Sequence, residues 1–371
     1  RPWRWLRGPS MACGCGSGRA TAAVLLGCLA VVVGLATRCK LNLYDVAAKA
    51  FWIYVYFSGI TPSFWGSRPW PYNYSRLPRL DGKVAIVTGA NSGVGYWTAL
   101  HLARQGAHVV AACRSATRCE EAARLVRANY TAATVTPMIL DLSRLASVRE
   151  FAALFLQGFS RLDVLVMNAG VGYLREKVTS DNIDAVFATN HVGHFLLFNL
   201  TRELLETTSE KVGDGRVVVV SSCEHFRSYP DGVALSRAEL IRRAQLPAGL
   251  QKSYAQSKLA NVLFAQEAAR RLAGKPIYIN SVHPGYVSTE ISANAAAQGA
   301  AEANTLMEQV ARYIMGGPWT PEEGALTQVF LAAATEVRDR DLRGRYFHPQ
   351  AAVALPQPVH TSNVTLQRLL W

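Results

Sequence analysis

The feature that most constrains the fold of this chain is a short apolar segment that runs into a glycine-rich loop. Val84–Thr88 is mostly apolar, Gly89, Gly93 and Gly95 follow within the next seven residues, and an amphipathic helical pattern comes after them. Glycines at these positions allow a tight turn and let the backbone approach a pyrophosphate group, which then lies at the positive end of the helix dipole. The order of strand, loop and helix therefore predicts a dinucleotide-binding site.

From Lys83 onward, segments typical of strands alternate with segments typical of helices. This alternation predicts βαβ units and a parallel sheet. We expect an α/β protein with a Rossmann-type doubly wound parallel sheet of about seven strands. The predicted strands lie near Val84–Thr88, His108–Cys113, Val135–Ile139, Val164–Met167, Arg216–Val220, Ile277–Val282 and Tyr346, and the helical segments between them include Thr98–Gln105, Glu120–Arg127 and Asn190–Glu206.

Tyr254 and Lys258 are four residues apart in a predicted helix, so their side chains lie on one face. The ordinary pKa of a phenol is near 10, and a nearby ammonium group favours the phenolate and lowers that pKa, which makes Tyr254 a candidate general acid and base. This spacing alone is more often a surface contact. Here Ser222 follows one predicted strand, Asn168 follows another, and Asn190 begins a helical segment, so the set together predicts a catalytic centre.

The end of the second predicted strand indicates which dinucleotide binds. An NAD site normally has a carboxylate there for the ribose 2′-hydroxyl, but this chain has Cys113 followed by Arg114. An arginine can pair with a 2′-phosphate, which a carboxylate would repel. We therefore expect NADP(H), although an arginine that is merely solvated would give the same sequence.

The N-terminal region contains an uncharged run of 18 residues, Ala20–Thr37, between Arg19 and the pair Arg38 and Lys40. A helix of this length reaches about 27 Å, enough to cross a hydrocarbon core if the flanking bases snorkel. An uncleaved signal-anchor, a cleaved signal peptide and an organelle transit sequence are three interpretations, of which we favour the signal-anchor. The aromatic segment Phe51–Trp65 fits either a membrane interface or packing on the catalytic domain.

Composition narrows the classes of function. The chain has 371 residues, of which 50% are hydrophobic and 18% charged, so it can bury a sizeable core. Its net charge is +13; six basic residues precede the first acid, Asp45, and the other bases are scattered among acids. No basic patch interleaved with aromatics results, so no nucleic-acid partner is expected. The seven cysteines show neither zinc-ligand spacing nor an evident disulfide framework, and no metal site is predicted.

These motifs together resemble the short-chain dehydrogenase/reductase superfamily over about Leu80 to His348. The matching motifs are TGANSGVG (88–95), Asp141-Leu142, MNAG (167–170), Asn190, Ser222, YAQSK (254–258) and NSVHPGYVST (280–289). Met167 departs from the family, which usually has asparagine there, at a position that concerns strand packing more than chemistry.

The resemblance implies a role for each matched residue. Tyr254 would exchange the proton of the substrate oxygen, Lys258 would lower the tyrosine pKa and hold the nicotinamide ribose, Ser222 would orient the substrate carbonyl, and Asn190 would support a water relay. The cofactor-binding residues expected from the loop, the second strand and the resemblance are Gly89, Asn91, Ser92, Gly93, Val94, Gly95, Arg114, Asp141, Leu142, Asn168, Ala169, Gly170, Tyr254, Lys258, Pro284, Gly285, Val287 and Thr289.

Within the superfamily, ACRS (112–115), NHVGHFLLFNL (190–200) and SYAQSKLANVLFAQEAARRL (253–272) resemble the branch of retinol dehydrogenases and WW-domain oxidoreductases. That branch implies an NADP(H)-dependent oxidoreductase that interconverts a lipophilic alcohol and its aldehyde or ketone, with a retinoid-, polyprenoid- or steroid-like substrate. The alternative is a catalytically idle membrane-anchored nucleotide-binding scaffold, which would not need the catalytic set.

The expected organisation has four parts: an N-terminal tail and transmembrane signal-anchor (1–40), an aromatic, Pro-rich juxtamembrane segment (41–79), an NADP-binding catalytic Rossmann domain (80–350) and a C-terminal tail (351–371). We expect a membrane protein of the endoplasmic reticulum with its catalytic domain in the cytosol. A lumenal catalytic domain stays open, because bases flank both ends of the apolar run and give no orientation. Mitochondrial and plastid placements and a homodimer stay open as well.

Deletion of residues 1–40 should release the protein from membranes, because Ala20–Thr37 is the convincing span in the sequence. The measurement is the partition of full-length and shortened protein between pellet and supernatant after a carbonate wash. A shortened protein that stays in the pellet would assign the anchor to Phe51–Trp65 or to another segment.

Overall fold

An eight-stranded sheet organises the part of the chain that the structure describes, with strand order β3-β2-β1-β4-β5-β6-β7-β8. Strands β1 to β7 run parallel, and β8 pairs antiparallel with β7. The doubly wound parallel sheet is thus confirmed, with one short antiparallel strand more than predicted. The strands are β1 Val84–Thr88, β2 His108–Cys113, β3 Thr134–Ile139, β4 Val164–Met167, β5 Gly215–Val220, β6 Ile277–Val282, β7 Tyr346–His348 and β8 Ala352–Ala354.

The computed structural model describes residues 73–172, 174, 176–246, 249–285, 287, 319–356 and 358–371. The predicted span Ala20–Thr37, the aromatic segment Phe51–Trp65 and the candidate cofactor residue Thr289 lie outside these residues. Within the described ranges, no helix combines the length and the apolar character that a membrane crossing needs.

Helices cover both faces of the sheet. Their bounds are α1 Gly93–Arg104, α2 Ala116–Asn129, α3 Leu145–Gly158, α4 Gly193–Val212, α5 Arg237–Ala244, α6 Gly249–Arg271, α7 Pro321–Ala333, α8 Thr335–Asp339, α9 Pro358–Thr361 and α10 Val364–Leu370. A single turn Ala185–Phe187 and a π-helical turn Ala188–Val192 lead directly into α4, so the helical segment begins earlier than its predicted start at Asn190.

Two apolar cores lie on the two faces because successive strand residues point to opposite sides. Ala85 and Val87 of β1 join the core formed with α1, α2 and α7, whereas Val84 and Ile86 join the core formed with α3, α4 and α6. All five residues of β1 are buried, as are all six of β5 and of β6. Burial on both faces explains why Val84–Val87 and Val217–Val220 are continuous apolar runs rather than alternating patterns.

The sheet order reverses direction between β1 and β4. The chain builds β1, β2 and β3 outward on one side and then returns to place β4 against the other edge of β1. The helices that follow β1 and β4 therefore depart to opposite faces and leave a crevice at the carboxyl ends of these two strands. A ligand site is expected there.

The start of α4 is held close to the loop after β3. A methyl group added at Gly193 would lie 2.4 Å from the backbone oxygen of Leu142, so only glycine permits this approach. The contact places the π-helical turn that carries Asn190 beside the crevice.

A disulfide joins Cys113, the last residue of β2, to Cys119 in the first turns of α2. No pattern in the sequence indicated this pair. Both side chains lie in the apolar core, because α2 folds back over the end of the strand that precedes it. Cys223 is the free cysteine among the described residues.

The C-terminal residues contribute to the same body. β8 pairs with β7 through the registers Tyr346↔Ala354 and Phe347↔Val353. The helix α10 packs against α6, and the ring of Trp371 stacks on Phe264 with 5.8 Å between ring centroids. The division of the chain at residue 351 remains a prediction.

Candidate active site

The glycine-rich loop at the end of β1 has the geometry that a phosphate cradle needs. Gly89 has φ +68°, a left-handed conformation that favours glycine. A methyl group added at Gly95 would lie 2.3 Å from the Gly89 oxygen and 2.4 Å from Asn168 Nδ2. Ser92 precedes α1 without a capping bond from its side chain, so it leaves the first backbone amides of that helix to an anion. The loop, including Asn91, Gly93 and Val94, therefore fits a dinucleotide pyrophosphate.

Thr88 fixes the crevice between β1 and β4. Its Oγ1 accepts the backbone N–H groups of Asn168 at 2.9 Å and Ala169 at 3.0 Å. It also lies 2.8 Å from Nε2 of His194, a fully buried side chain of α4. One hydroxyl thus joins the end of β1, the loop after β4 and the helix α4.

The Asn168 side chain links three elements at the same place. Its Nδ2 donates to the backbone oxygen of Thr88 at 2.9 Å, and its Oδ1 accepts from Nε2 of Gln328 at 3.2 Å. Gln328 is fully buried in α7, and its Oε1 accepts from Thr98 of α1 at 3.1 Å. The amide network keeps the Asn168–Gly170 loop against the glycine-rich loop.

The residues expected at the adenosine end lie at the carboxyl ends of β2 and β3. Arg114 follows β2, is exposed, and forms no ion pair within the described part of the chain. Oδ1 of Asp141, just after β3, accepts the backbone N–H of Ser143 at 3.0 Å and its hydroxyl at 2.6 Å, and Leu142 is buried. Cys113, which stands where an NAD site has a carboxylate, is buried in the apolar core.

Lys258 is buried beside Tyr254 on α6. Its side chain is only 3% exposed, and Nζ lies 5.5 Å from the centroid of the Tyr254 ring. Nζ donates to the backbone oxygen of Val220, at the end of β5, at 3.1 Å. Burial lowers the pKa of Lys258 to about 8, because the ammonium has lost most of its water. The group still carries its charge at neutral pH, next to the phenol of Tyr254.

Ser222 lies two residues beyond β5 and begins the turn Cys223–Arg227, which packs on α6. Its Oγ accepts the backbone N–H of Glu224 at 3.2 Å. Because a hydroxyl both accepts and donates, this bond leaves Ser222 able to donate its own proton to a substrate oxygen. The adjacent Ser221 is used differently, since its hydroxyl donates to the Lys258 backbone oxygen at 2.7 Å.

Asn190 connects the π-helical turn to the loop after β4. Its Oδ1 accepts the Val171 N–H at 2.8 Å, and its Nδ2 donates to the Val171 oxygen at 2.9 Å and to Ser257 Oγ at 3.0 Å. A methyl group added at Gly170 would lie 3.3 Å from Asn190 Oδ1 and 3.4 Å from Lys258 Nζ, so these two groups converge on that glycine.

The residues expected at the nicotinamide end follow β6. Pro284 and Gly285 are partly exposed, Gly285 has φ +100°, and Val287 is buried and pairs with Trp319 through an isolated bridge. A methyl group added at Gly324 of α7 would lie 2.6 Å from the Val287 side chain. The close packing of α7 therefore holds this segment at the same edge of the sheet as the glycine-rich loop.

Four buried polar residues of the site had not been singled out in the sequence: Thr88, His194, Asn261 and Gln328. Asn261 Nδ2 donates to the backbone oxygens of Asn190 and Val220, each at 3.1 Å. A signal was available for the histidine, because an ionisable side chain four residues after Asn190 in an apolar helix is costly to bury without a partner.

Comparison with known proteins agrees with this geometry. A family model described as short chain dehydrogenase matches residues 83–236. Human retinol dehydrogenase 13 is 36% identical over 268 residues, which are 72% of this chain and 76% of that protein.

Two solved structures have the same architecture. An uncharacterised protein from Mycobacterium Paratuberculosis has a TM-score of 0.60 and 30% identity, covering 81% of this chain and 94% of that one. A protein from Beutenbergia cavernae, described as an NAD(P) dependent gluconate 5-dehydrogenase and solved with bound NADP, has a TM-score of 0.53 and 27% identity, covering 73% and 96%.

The parallel sheet, the loop after β1 and the Tyr254–Lys258 pair are the features of a nucleotide-dependent oxidoreductase, and the chain belongs to the short-chain dehydrogenase/reductase family. Within that family it falls in the retinol dehydrogenase-like branch. The family binds NAD(P)(H).

The lowered pKa of Lys258 predicts a pH dependence of stability. An unfolded chain keeps the ordinary lysine value of 10.5, so between pH 8 and 10.5 the unfolded state binds a proton that the folded state does not. Stability therefore rises with pH across this window, by on the order of 3 kcal/mol in total. The measurement is urea denaturation of the cofactor-free protein and of Lys258→Met, whose difference should change by this amount. Parallel pH curves for the two proteins would contradict the prediction.

Proposed function

We propose that the protein is an NADP(H)-dependent oxidoreductase that interconverts a lipophilic alcohol and its aldehyde or ketone. The observation that carries the proposal is the buried Lys258 ammonium beside the Tyr254 ring, at the same edge of the sheet as the glycine-rich loop. Membership of the family supports the reaction class, alcohol and carbonyl interconversion.

The chain's own residues manage the proton and the oxygen in this proposal. Ser222 donates a hydrogen bond to the carbonyl oxygen, which polarises the carbonyl and holds it near the Tyr254 hydroxyl. Tyr254 gives its proton to that oxygen in reduction and takes it back in oxidation, while the Lys258 charge stabilises the phenolate left behind. The nicotinamide cofactor, when bound, supplies or accepts the hydride.

The choice of NADP(H) rests on Arg114. It lies at the carboxyl end of β2, is exposed, and has no carboxylate partner in the described residues, so its guanidinium can pair with a 2′-phosphate. Asp141 lies after the neighbouring strand, and its Oδ1 is occupied by Ser143. Arg114 is therefore the charged group that we assign to the phosphate.

A lipophilic substrate and a membrane location are proposed together. Human retinol dehydrogenase 13 is named for a retinoid alcohol, and this chain is 36% identical to it over 268 residues. The apolar run Ala20–Thr37 gives the chain a segment suited to a membrane, where such substrates partition. We place the protein at the endoplasmic reticulum with its catalytic domain in the cytosol.

Replacement of Tyr254 by Phe should reduce turnover by at least about 10³-fold, because the transferable proton is lost while the ring remains. NADPH affinity should fall by no more than about tenfold, because a lost neutral hydrogen bond is worth about 0.5–1.5 kcal/mol. The assay follows NADPH oxidation with retinaldehyde, a polyprenal and a ketosteroid. Tyr278→Phe is the matched control and should keep full activity, because Tyr278 lies at the amino end of β6 and the site lies at the carboxyl ends of the strands. Turnover of Tyr254→Phe within about tenfold of the wild type would refute the assignment.

Replacement of Arg114 by Ala should lower the preference for NADPH over NADH by roughly 10- to 100-fold, because a charge-assisted hydrogen bond to the phosphate is lost. Turnover at saturating cofactor should change little. Arg124→Ala is the control, since that exposed arginine of α2 pairs with Glu121 instead. The measurement is the ratio of kcat/KM for the two cofactors, and an unchanged ratio in Arg114→Ala would show that another group binds the phosphate.

A further inference from the structure

Both ring nitrogens of His194 are used, and their partners lie in different parts of the site. Nδ1 lies 3.1 Å from the backbone oxygen of Asn190, and Nε2 lies 2.8 Å from Thr88 Oγ1. The side chain is fully buried. A carbonyl oxygen can only accept, so Nδ1 carries the proton and Nε2 must accept the Thr88 hydroxyl proton.

The Thr88 hydroxyl has a competing acceptor. The backbone oxygen of Val166 lies 3.3 Å from Oγ1, a longer contact than the one to His194. Thr88 Oγ1 itself accepts the backbone N–H groups of Asn168 and Ala169. Without an acceptor at His194 the hydroxyl would turn to Val166, and the geometry of the crevice between β1 and β4 would relax.

The other end of His194 reaches the residues around Lys258. The Asn190 oxygen that accepts Nδ1–H also accepts Asn261 Nδ2, and the same Nδ2 donates to the Val220 oxygen. That Val220 oxygen accepts Lys258 Nζ. His194 therefore helps to position the Asn190 backbone carbonyl, which is linked to Lys258 through Asn261 and the Val220 oxygen.

We propose that His194 is a positioning residue whose two hydrogen bonds separately hold the cofactor loop, through Thr88, and the surroundings of Lys258, through the Asn190 carbonyl. The inference deepens the proposed function and rests on it for its turnover measurement. Burial also lowers the pKa of His194 to about 3, which keeps the ring neutral at physiological pH, and its two hydrogen-bond partners set the tautomer.

The two bonds can be removed one at a time. An asparagine amide can replace Nδ1–H, because Asn129 and Asn199 in this chain donate to the carbonyl four residues earlier at 2.8 and 2.9 Å. His194→Asn should thus keep the Asn190 bond and lose the Thr88 bond. His194→Gln has the longer reach of Nε2, so it should keep the Thr88 bond and lose the Asn190 bond.

The experiment measures the NADPH dissociation constant, by fluorescence titration, and kcat at saturating NADPH and retinaldehyde. His194→Asn should weaken NADPH binding about tenfold with kcat within about threefold, and His194→Gln should lower kcat about tenfold with binding near normal. Thr201→Val is the control, since that buried hydroxyl of the same helix donates only to backbone oxygens of α4 and should leave both quantities unchanged. Losses that fall equally on both quantities in both variants, or on neither, would overturn the proposal.

A second measurement needs no substrate. Thr88→Val and His194→Asn break the same bond, so their effects on NADPH binding should be less than additive in a double-mutant cycle. Additive effects would overturn the inference even if the enzyme reaction is confirmed. A protein that binds NADPH with the expected coupling but reduces no carbonyl would instead refute the proposed function and leave the Thr88–His194 link standing.

Discussion

The hydrogen bonds of the Thr88 hydroxyl join the three elements that surround the site. The hydroxyl lies where β1 ends and the helices of the two halves part, and it bonds the backbone of Asn168 and Ala169 across the gap to β4. Parallel strands leave a crevice at such a reversal, and a crevice needs polar groups that satisfy the ends of both strands without filling the space. Thr88 meets this need from the edge, so the glycine-rich loop above it remains open to a nucleotide.

The second constraint is the burial of the charged and polar groups behind the reaction centre. Lys258, Asn190, Asn261 and His194 are all nearly or fully buried, and each has hydrogen-bond partners in the described residues. A buried network in which every member is paired is rigid, because each rearrangement leaves a polar group unpaired in a medium of low dielectric constant. Burying the lysine costs free energy, which its pKa of about 8 reflects. The same burial holds the ammonium in a fixed position beside Tyr254.

Sequence patterns predicted much of the fold for two reasons. Buried parallel strands are apolar on both faces, and a glycine-rich loop directly after such a strand is typical of a nucleotide-binding turn. The bounds of β1, β2, β4 and β6 were predicted as observed. The short strand β8 and the Cys113–Cys119 pair escaped prediction, since both depend on tertiary packing and not on a local pattern. The roles of Thr88, His194 and Gln328 were missed for a related reason: a hydroxyl, an imidazole and an amide acquire meaning only from the partners that the fold brings to them.

We propose that these groups direct the transfer of a hydride between NADP(H) and a lipophilic carbonyl carbon. The most direct measurement is a single turnover of the full-length protein with NADPH deuterated on one face of the nicotinamide C4, followed by mass spectrometry of the alcohol formed from retinaldehyde, a polyprenal or a ketosteroid. We expect the label from one face, and not from the other, to appear at the former carbonyl carbon. Absence of label in every product from either face, with NADPH bound, would contradict this proposal.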